Sequence, residues 1–317
     1  MDADAATWVH ATGVGSLPNR DPDAAIDHVA RFAPVVPFWP QLPARDPREG
    51  MIAQAVAPIA SLVEPDGRPW RFRLRPGAAG DLEAALDAAE PALVPTHATG
   101  FAPFLEALAM GRFTEAELVK GQLAGPATIA ACVGPPETWD PARMAALARH
   151  VARAAAWQAR ALAGYGHAVL VVVDEPVATG EPPREILAVL AEIRSAGALA
   201  GVHCCGRFPT ALLGTGALDA ASWDARLAPD LAPLVVAAGV LPMPGVVSTV
   251  DPSEPAHATA RELVRRFGGH LPARVLVTPT CGLGQATEPL ARRAMARVGA
   301  VVDHLRRVRA SGAAEAR

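Results

Sequence analysis

Three of the chain's four cysteines fall in two short segments. His203-Cys204-Cys205-Gly206 follows the strand-like run 198–202, and Cys281 lies in Thr278-Pro279-Thr280-Cys281-Gly282-Leu283-Gly284 behind another such run. A His-x-Cys pair at one strand end and a distant cysteine at another supply the nitrogen and sulfur ligands that zinc takes when one coordination position stays open for substrate. Side chains alternate along a strand, so His203 and Cys205 are expected to share a direction and Cys204 to point away. The same residues also have ordinary structural roles. Cysteine is often buried as a small apolar side chain, and a strand-end histidine is often a satisfied structural group. No Cys-x-x-Cys or His-Glu-x-x-His spacing decides between the two readings. A bridge between the adjacent Cys204 and Cys205 is sterically poor.

Other polar residues close strand-like runs as well. Asp174-Glu175-Pro176 leaves a buried-looking apolar run; a carboxylate there can take a substrate ammonium, cap the next helix or pair with an arginine. Asp174 is the stronger candidate for a functional role and Glu175 the weaker. Ser16 closes the first run, and Lys120 and Gln122 end another and are candidates to line the mouth and bind substrate, with a solvated strand start as the alternative for Lys120. Asp224 follows Ala220-Ala221-Ser222-Trp223 and is a candidate oxygen ligand, with capping of the next loop as its alternative. Thiolate ligands keep a zinc electron-rich, so such a centre favours holding an incoming thiol as a nucleophilic thiolate over activating water. Thiol alkylation is the reaction class this chemistry favours.

The elements that must position these residues are eight apolar runs, at 8–14, 35–39, 118–123, 168–173, 199–204, 218–223, 240–247 and 274–278. Several are continuous Val, Leu and Ala, as a strand buried on both faces of a parallel sheet reads. Between them, apolar spacing of three and four predicts helices at 22–32, 141–163, 183–195, 254–267 and 288–309, and Asp21-Pro22 and Asp140-Pro141 match an Asp cap with Pro at the first helical position. Strand–helix alternation on this scale predicts an α/β fold, a single (β/α)8 TIM barrel over 1–317, whose strand ends converge on one mouth. A doubly wound sheet is the alternative, disfavoured because Gly13-Val14-Gly15-Ser16-Leu17-Pro18 breaks the dinucleotide-binding turn with Pro. A long insert, roughly 45–111, follows the second strand and carries a hairpin-like alternation near 65–75; it is read as a lid or decorated rim without a core of its own. The tail, 310–317, is expected to fray.

With 317 residues, 51% hydrophobic composition and a formal charge of −3, the chain is long and apolar enough for a large core and has no basic stripe for nucleic acid. No leader pattern and no eighteen-residue apolar window is present, so a cytoplasmic protein without membrane association is expected, with its cysteines reduced.

Several segments together resemble the C-terminal catalytic barrel of cobalamin-independent methionine synthase and its shorter relatives in the uroporphyrinogen decarboxylase and methionine synthase superfamily. They are Thr12-Gly13-Val14-Gly15-Ser16-Leu17-Pro18, Pro37-Phe38-Trp39-Pro40-Gln41-Leu42-Pro43, Lys120-Gly121-Gln122-Leu123-Ala124-Gly125-Pro126, Val173-Asp174-Glu175-Pro176, Val202-His203-Cys204-Cys205-Gly206 and Thr280-Cys281-Gly282-Leu283-Gly284, in family order over nearly the whole chain. The resemblance implies zinc-dependent methyl transfer to a thiol, with homocysteine as acceptor and methionine as product. It implies His203, Cys205, Asp224 and Cys281 as zinc ligands, Asp174 on the substrate amino group and Ser16 at its carboxylate.

The chain departs from that pattern in four places. The family's usual carboxylate at the Asp224 position is Glu. The second amino-binding Glu after strand two has no match in register, although Asp46 and Glu49 lie close. The folate-holding N-terminal barrel of full-length members has no counterpart in these residues, and the proton-donating histidine after strand seven is missing from Gly245-Val246-Val247-Ser248-Thr249-Val250-Asp251-Pro252. A tertiary amine leaving group needs a proton, whereas cobalt(I) leaves without one. The expected donor is therefore a methylcobamide, free or on a corrinoid protein. Coenzyme M is an alternative acceptor, and a porphyrinogen decarboxylase or a non-catalytic corrinoid- or metal-binding barrel are the alternative functions.

Overall fold

Apolar runs buried on both faces become the strands of a parallel sheet. The computed structural model describes residues 8–177 and 184–315, with side chains described to residue 308. Seven strands, β1 (Trp8–Ala11), β4 (Leu118–Ala124), β5 (Ala168–Asp174), β6 (Leu199–Cys204), β7 (Ala220–Asp224), β8 (Leu241–Val247) and β9 (Arg274–Pro279), pair in the order β1-β9-β8-β7-β6-β5-β4. β2 (Val63–Pro65) and β3 (Phe72–Leu74) form a separate antiparallel hairpin, so the alternation near 65–75 does fold as one. Around the sheet lie α1 (Pro22–Phe32), α2 (Met51–Val56), α3 (Leu82–Ala88), α4 (Phe101–Ala109), α5 (Pro126–Cys132), α6 (Pro141–Ala163), α7 (Arg184–Ser195), α8 (Leu231–Ala237), α9 (Ala256–Arg266) and α10 (Glu288–Glu315). Asp21 and Asp140 cap α1 and α6 as their sequence suggests, accepting from Asp23 N and Arg143 N at 3.3 and 2.9 Å. α10 runs past residue 309, where the pattern placed its end; the side chains of the tail, and Pro183, lie outside the described residues.

The expected eighth strand is the principal correction. Residues 35–39 run alongside β4, with Glu117 N donating to Val35 O at 3.0 Å, Lys120 N to Pro37 O at 2.8 Å and Trp39 N to Lys120 O at 3.3 Å. Toward β1 they are held only by Thr12 Oγ1 donating to Val36 O at 2.8 Å and by the bridge between Ser16 and Gln41 farther on. Pro37 and Pro40 have no N–H to give, which interrupts a ladder on this side. Among the described residues, the result is a TIM-like barrel of seven parallel strands that is not closed by a continuous ladder.

Alternation along the strands separates two apolar clusters. Val36, Leu118, Leu170, Val172, Ala220, Met243 and Leu276 fill the inside, while Val169, Val171, Val173, Ala200, Val202 and Cys204 face the helices. The insert joins the outer cluster through Ile52, Val56, Leu82, Leu86 and Phe104. Among the described residues, no helix is long and apolar enough to cross a membrane.

Candidate metal centre

His203 shares the inward-facing parity of Leu199, which packs against the inner cluster, while Cys204 lies in the outer one at 0% exposure. The register Asp174↔His203↔Ser222 brings the ends of β5, β6 and β7 level. Ser222 Oγ lies 2.9 Å from His203 Nδ1, and the other ring nitrogen, Nε2, is buried without a partner. Opposite the end of β9, β8 carries a register shift between Gly245 and Val247. Gly245 is required there, since a Cβ would lie 2.7 Å from Thr280 Cα. Cys281 follows this irregularity, and its Sγ donates to Cys205 Sγ at 3.5 Å. A ring nitrogen of His203 and the two sulfurs lie within 4.8 Å of one another.

With a proton on Nδ1 given to Ser222, Nε2 presents its lone pair, as a metal-binding imidazole does when its second nitrogen is held by an outer partner. One imidazole and two thiols, with an orphaned buried nitrogen among them, fit zinc with a coordination position left over. The sulfur contact holds Cys205 below the ordinary thiol range and, together with burial, raises Cys281.

Asp224 does not belong to this group. It ends β7 and its Oδ1 accepts from Arg226 N at 2.8 Å, the loop-capping alternative.

A cavity of about 210 Å³ opens above the three residues and is also lined by Ser16, Asp174, Gln41, Met51 and Trp70. Asp174 is 5% exposed and its Oδ1 has no partner. Burial pushes it up to about 6, against the pull of His203 and Lys120. Ser16 is set by Leu283 N donating to its carbonyl at 2.9 Å, and Gly282 leaves its hydroxyl room, since a Cβ would fall 2.3 Å from Oγ.

The other three candidates do not reach the mouth. Glu175 is 0% exposed and caps α5: Oε1 accepts from Ala127 N at 3.0 Å, and Oε2 from Thr128 N at 2.8 Å and Thr128 Oγ1 at 2.6 Å. Burial pushes it up to about 7. Lys120 and Gln122 lie beneath the mouth. Lys120 Nζ donates to Val14 O at 2.7 Å and to Gln122 Oε1 at 2.9 Å, while Gln122 Nε2 donates to Trp39 O at 2.9 Å. They brace the turn that carries Ser16. Burial lowers Lys120 to about 8, with Asp174 acting the other way.

Glu49 is also turned away, its carboxylate accepting from Thr99 Oγ1 at 2.7 Å and Thr99 N at 3.2 Å. Sequence reasoning passed over Ser222, Gln41, Met51 and Trp70. The first has the inward parity of His203 as a signal; the insert residues Met51 and Trp70 have none, because nothing local says which way the insert folds.

No protein-family model and no curated protein matches the chain. Among solved structures, a B12-independent methionine synthase from Shewanella sp. W3-18-1, in complex with selenomethionine, is 17% identical, with 66% of this chain and 68% of that one covered at a TM-score of 0.46. A putative vitamin-B12 independent methionine synthase from Listeria monocytogenes is 16% identical over 63% of this chain and 69% of its own, at 0.43. A methyltransferase from Methanosarcina mazei is 17% identical and is covered, like this chain, over 95% of its length at a TM-score of 0.51. That end-to-end overlap makes the fold of this chain similar to that of a methyltransferase.

Proposed function

We propose that the chain is a zinc-dependent methyltransferase acting on a small thiol, with homocysteine as acceptor and a methylcobamide, free or on a corrinoid protein, as donor. The observation that carries this reading is the convergence of His203, Cys205 and Cys281 from two distant strand ends around an unpartnered, buried Nε2. His203, Cys205 and Cys281 would hold the zinc, whose Lewis acidity would keep a thiol deprotonated at neutral pH.

The chain's own residues do the rest. Asp174, buried with one oxygen free, takes the substrate ammonium, an ion pair that also offsets the cost of ionising a buried carboxyl. Ser16 Oγ meets the substrate carboxylate, from a turn held in place by Lys120 through Val14 O. These contacts orient the sulfur. On binding, the thiol gives up its proton to solvent; in the transfer its sulfur forms a bond to the methyl carbon, and the carbon–donor bond breaks with its electron pair remaining on the donor. A folate donor would need that pair protonated. The loop after β8 carries no histidine, and its Asp251 lines a separate cleft with Arg226 and Arg297, which supports a donor that leaves without a proton.

The test is methionine formation from homocysteine by zinc-loaded protein, with methylcobalamin and methyltetrahydrofolate compared at equal concentration. Methionine from the cobalamin arm is the expected result. Ready turnover from folate alone would overturn the donor assignment, and no methionine from either would overturn the activity.

A further inference from the structure

We infer that Trp70 is the surface on which the flat, conjugated ring of the methyl donor rests above the His203–Cys205–Cys281 group, a role that builds on the methyltransferase reading. Trp70 stands at the tip of the β2–β3 hairpin, lines the same cavity as the three metal-binding candidates, and is 55% exposed. Its φ of 57° is the one positive value outside glycine among the described residues. A bulky side chain in the left-handed region is strained, and strain of this kind clusters at ligand clamps.

The other tryptophans are engaged within the fold: Trp8, Trp39 and Trp139 donate to Glu117, Gln158 and Val133 O, Trp157 packs on the Phe101 ring, and Trp223 is 1% exposed. Trp70 combines unfavourable backbone geometry with a large apolar face left open to the mouth. A ligand that covers the indole would offset the cost of its exposure.

The hairpin is braced so that this face keeps its place. Gly134 N donates to Phe72 O at 2.8 Å, Arg71 reaches Ala131 O, and Glu64 pairs with Arg73 and Arg75 at 2.8 and 2.9 Å. Within the turn, Asp66 N donates to Arg71 O at 3.1 Å and Arg71 N to Arg68 O at 3.2 Å. The cavity lining mixes apolar Val14, Pro43, Met51 and Pro176 with polar Ser16, Gln41, Asp174 and the metal-binding candidates. Asp174 and the metal-binding candidates suit the thiol substrate, and the exposed indole is a good contact surface for a planar ring. Corrin and pterin share this chemistry.

Calorimetric binding of methylcobalamin and of methyltetrahydrofolate to wild type, Trp70→Phe, Trp70→Leu and Trp70→Gly separates the two sources and tests the role. For the probe that binds wild type, affinity should fall at least about tenfold in Trp70→Leu and Trp70→Gly, in line with the loss of one stacking contact, and be largely kept in Trp70→Phe. Zinc content and KM for the thiol should not change. The melting temperature of Trp70→Gly should stay close to that of wild type, because the strain glycine relieves at this φ offsets the partial burial lost with the indole. Unchanged affinity in Trp70→Leu, no binding of either probe to wild type, or a lower melting temperature with loss of zinc in Trp70→Gly would each overturn the inference. A wild type without zinc that still binds a probe in a Trp70-dependent way would instead count against the metal-centre reading and leave this one standing.

Discussion

Ser222→Ala removes the hydroxyl that lies 2.9 Å from His203 Nδ1. Both residues are buried, at 2% and 3% exposure, so solvent does not replace it. In the metal-free chain a buried ring N–H then loses its acceptor, at a cost of about 1–3 kcal/mol. In the loaded chain the ring also loses the partner that fixes its tautomer and direction. Outer partners of this kind are worth about 10–100-fold in metal affinity, or about 1.4–2.7 kcal/mol. Urea unfolding of chelator-treated protein reads the first cost, and competition with a chromogenic zinc chelator reads the second. Ser222→Thr returns the oxygen and should recover most of the affinity. Wild-type zinc affinity in Ser222→Ala would refute the orientation of His203 through Nδ1, and with it Nε2 as the ligand atom.

Cys205→Ser and Cys281→Ser should lose zinc affinity steeply, whereas Cys204→Ser, from the outer cluster, and Asp224→Ala should keep it; a chelator titration of the four variants checks the ligand set. His28 and His150 are 3% and 4% exposed, and burial, followed by a neighbouring arginine, lowers each to about 4 from 6.5. Because their folded pKa is depressed, the stability they contribute is present above pH 6.5 and is lost as pH falls toward 4. Linkage gives a loss of about 2 kcal/mol per histidine between pH 7.5 and pH 5, seen as a lower urea midpoint that His28→Leu or His150→Gln should make less pH-dependent. Gly125→Ala would set a Cβ 2.2 Å from Glu175 Oε1 and should cost about 1–3 kcal/mol in denaturant unfolding; a variant as stable as wild type would mean the α5 cap yields.

The strands that end at the site were readable because each is a Val- and Leu-rich run buried on both faces, and such runs need no tertiary knowledge to find. The placement of Cys204 away from His203 followed from alternation alone. The second strand was misread because its apolar residues are buried as a strand's would be, while Pro37 and Pro40 deny it a ladder. Glu175, Lys120 and Gln122 show a different limit. A polar residue at the end of a strand can turn toward the mouth, back into the barrel or over to the next helix, and only the neighbours decide. The α5 amides took Glu175, and Val14 O took Lys120. Asp224 had the parity for the metal group, yet its own loop supplied a nearer partner. The position of Trp70 over the mouth depends on how the hairpin docks on residues 131–134, a long-range contact with no local signature.

Zinc content per chain, measured by mass spectrometry on protein purified without added metal, bears most directly on the central claim, that His203, Cys205 and Cys281 form a metal centre serving thiol methylation. The expected result is one zinc ion per wild-type chain and none in Cys281→Ser, with methionine formation lost in step. A zinc-free wild type that methylates homocysteine at full rate, or a Cys281→Ser variant that retains its zinc, would contradict the account.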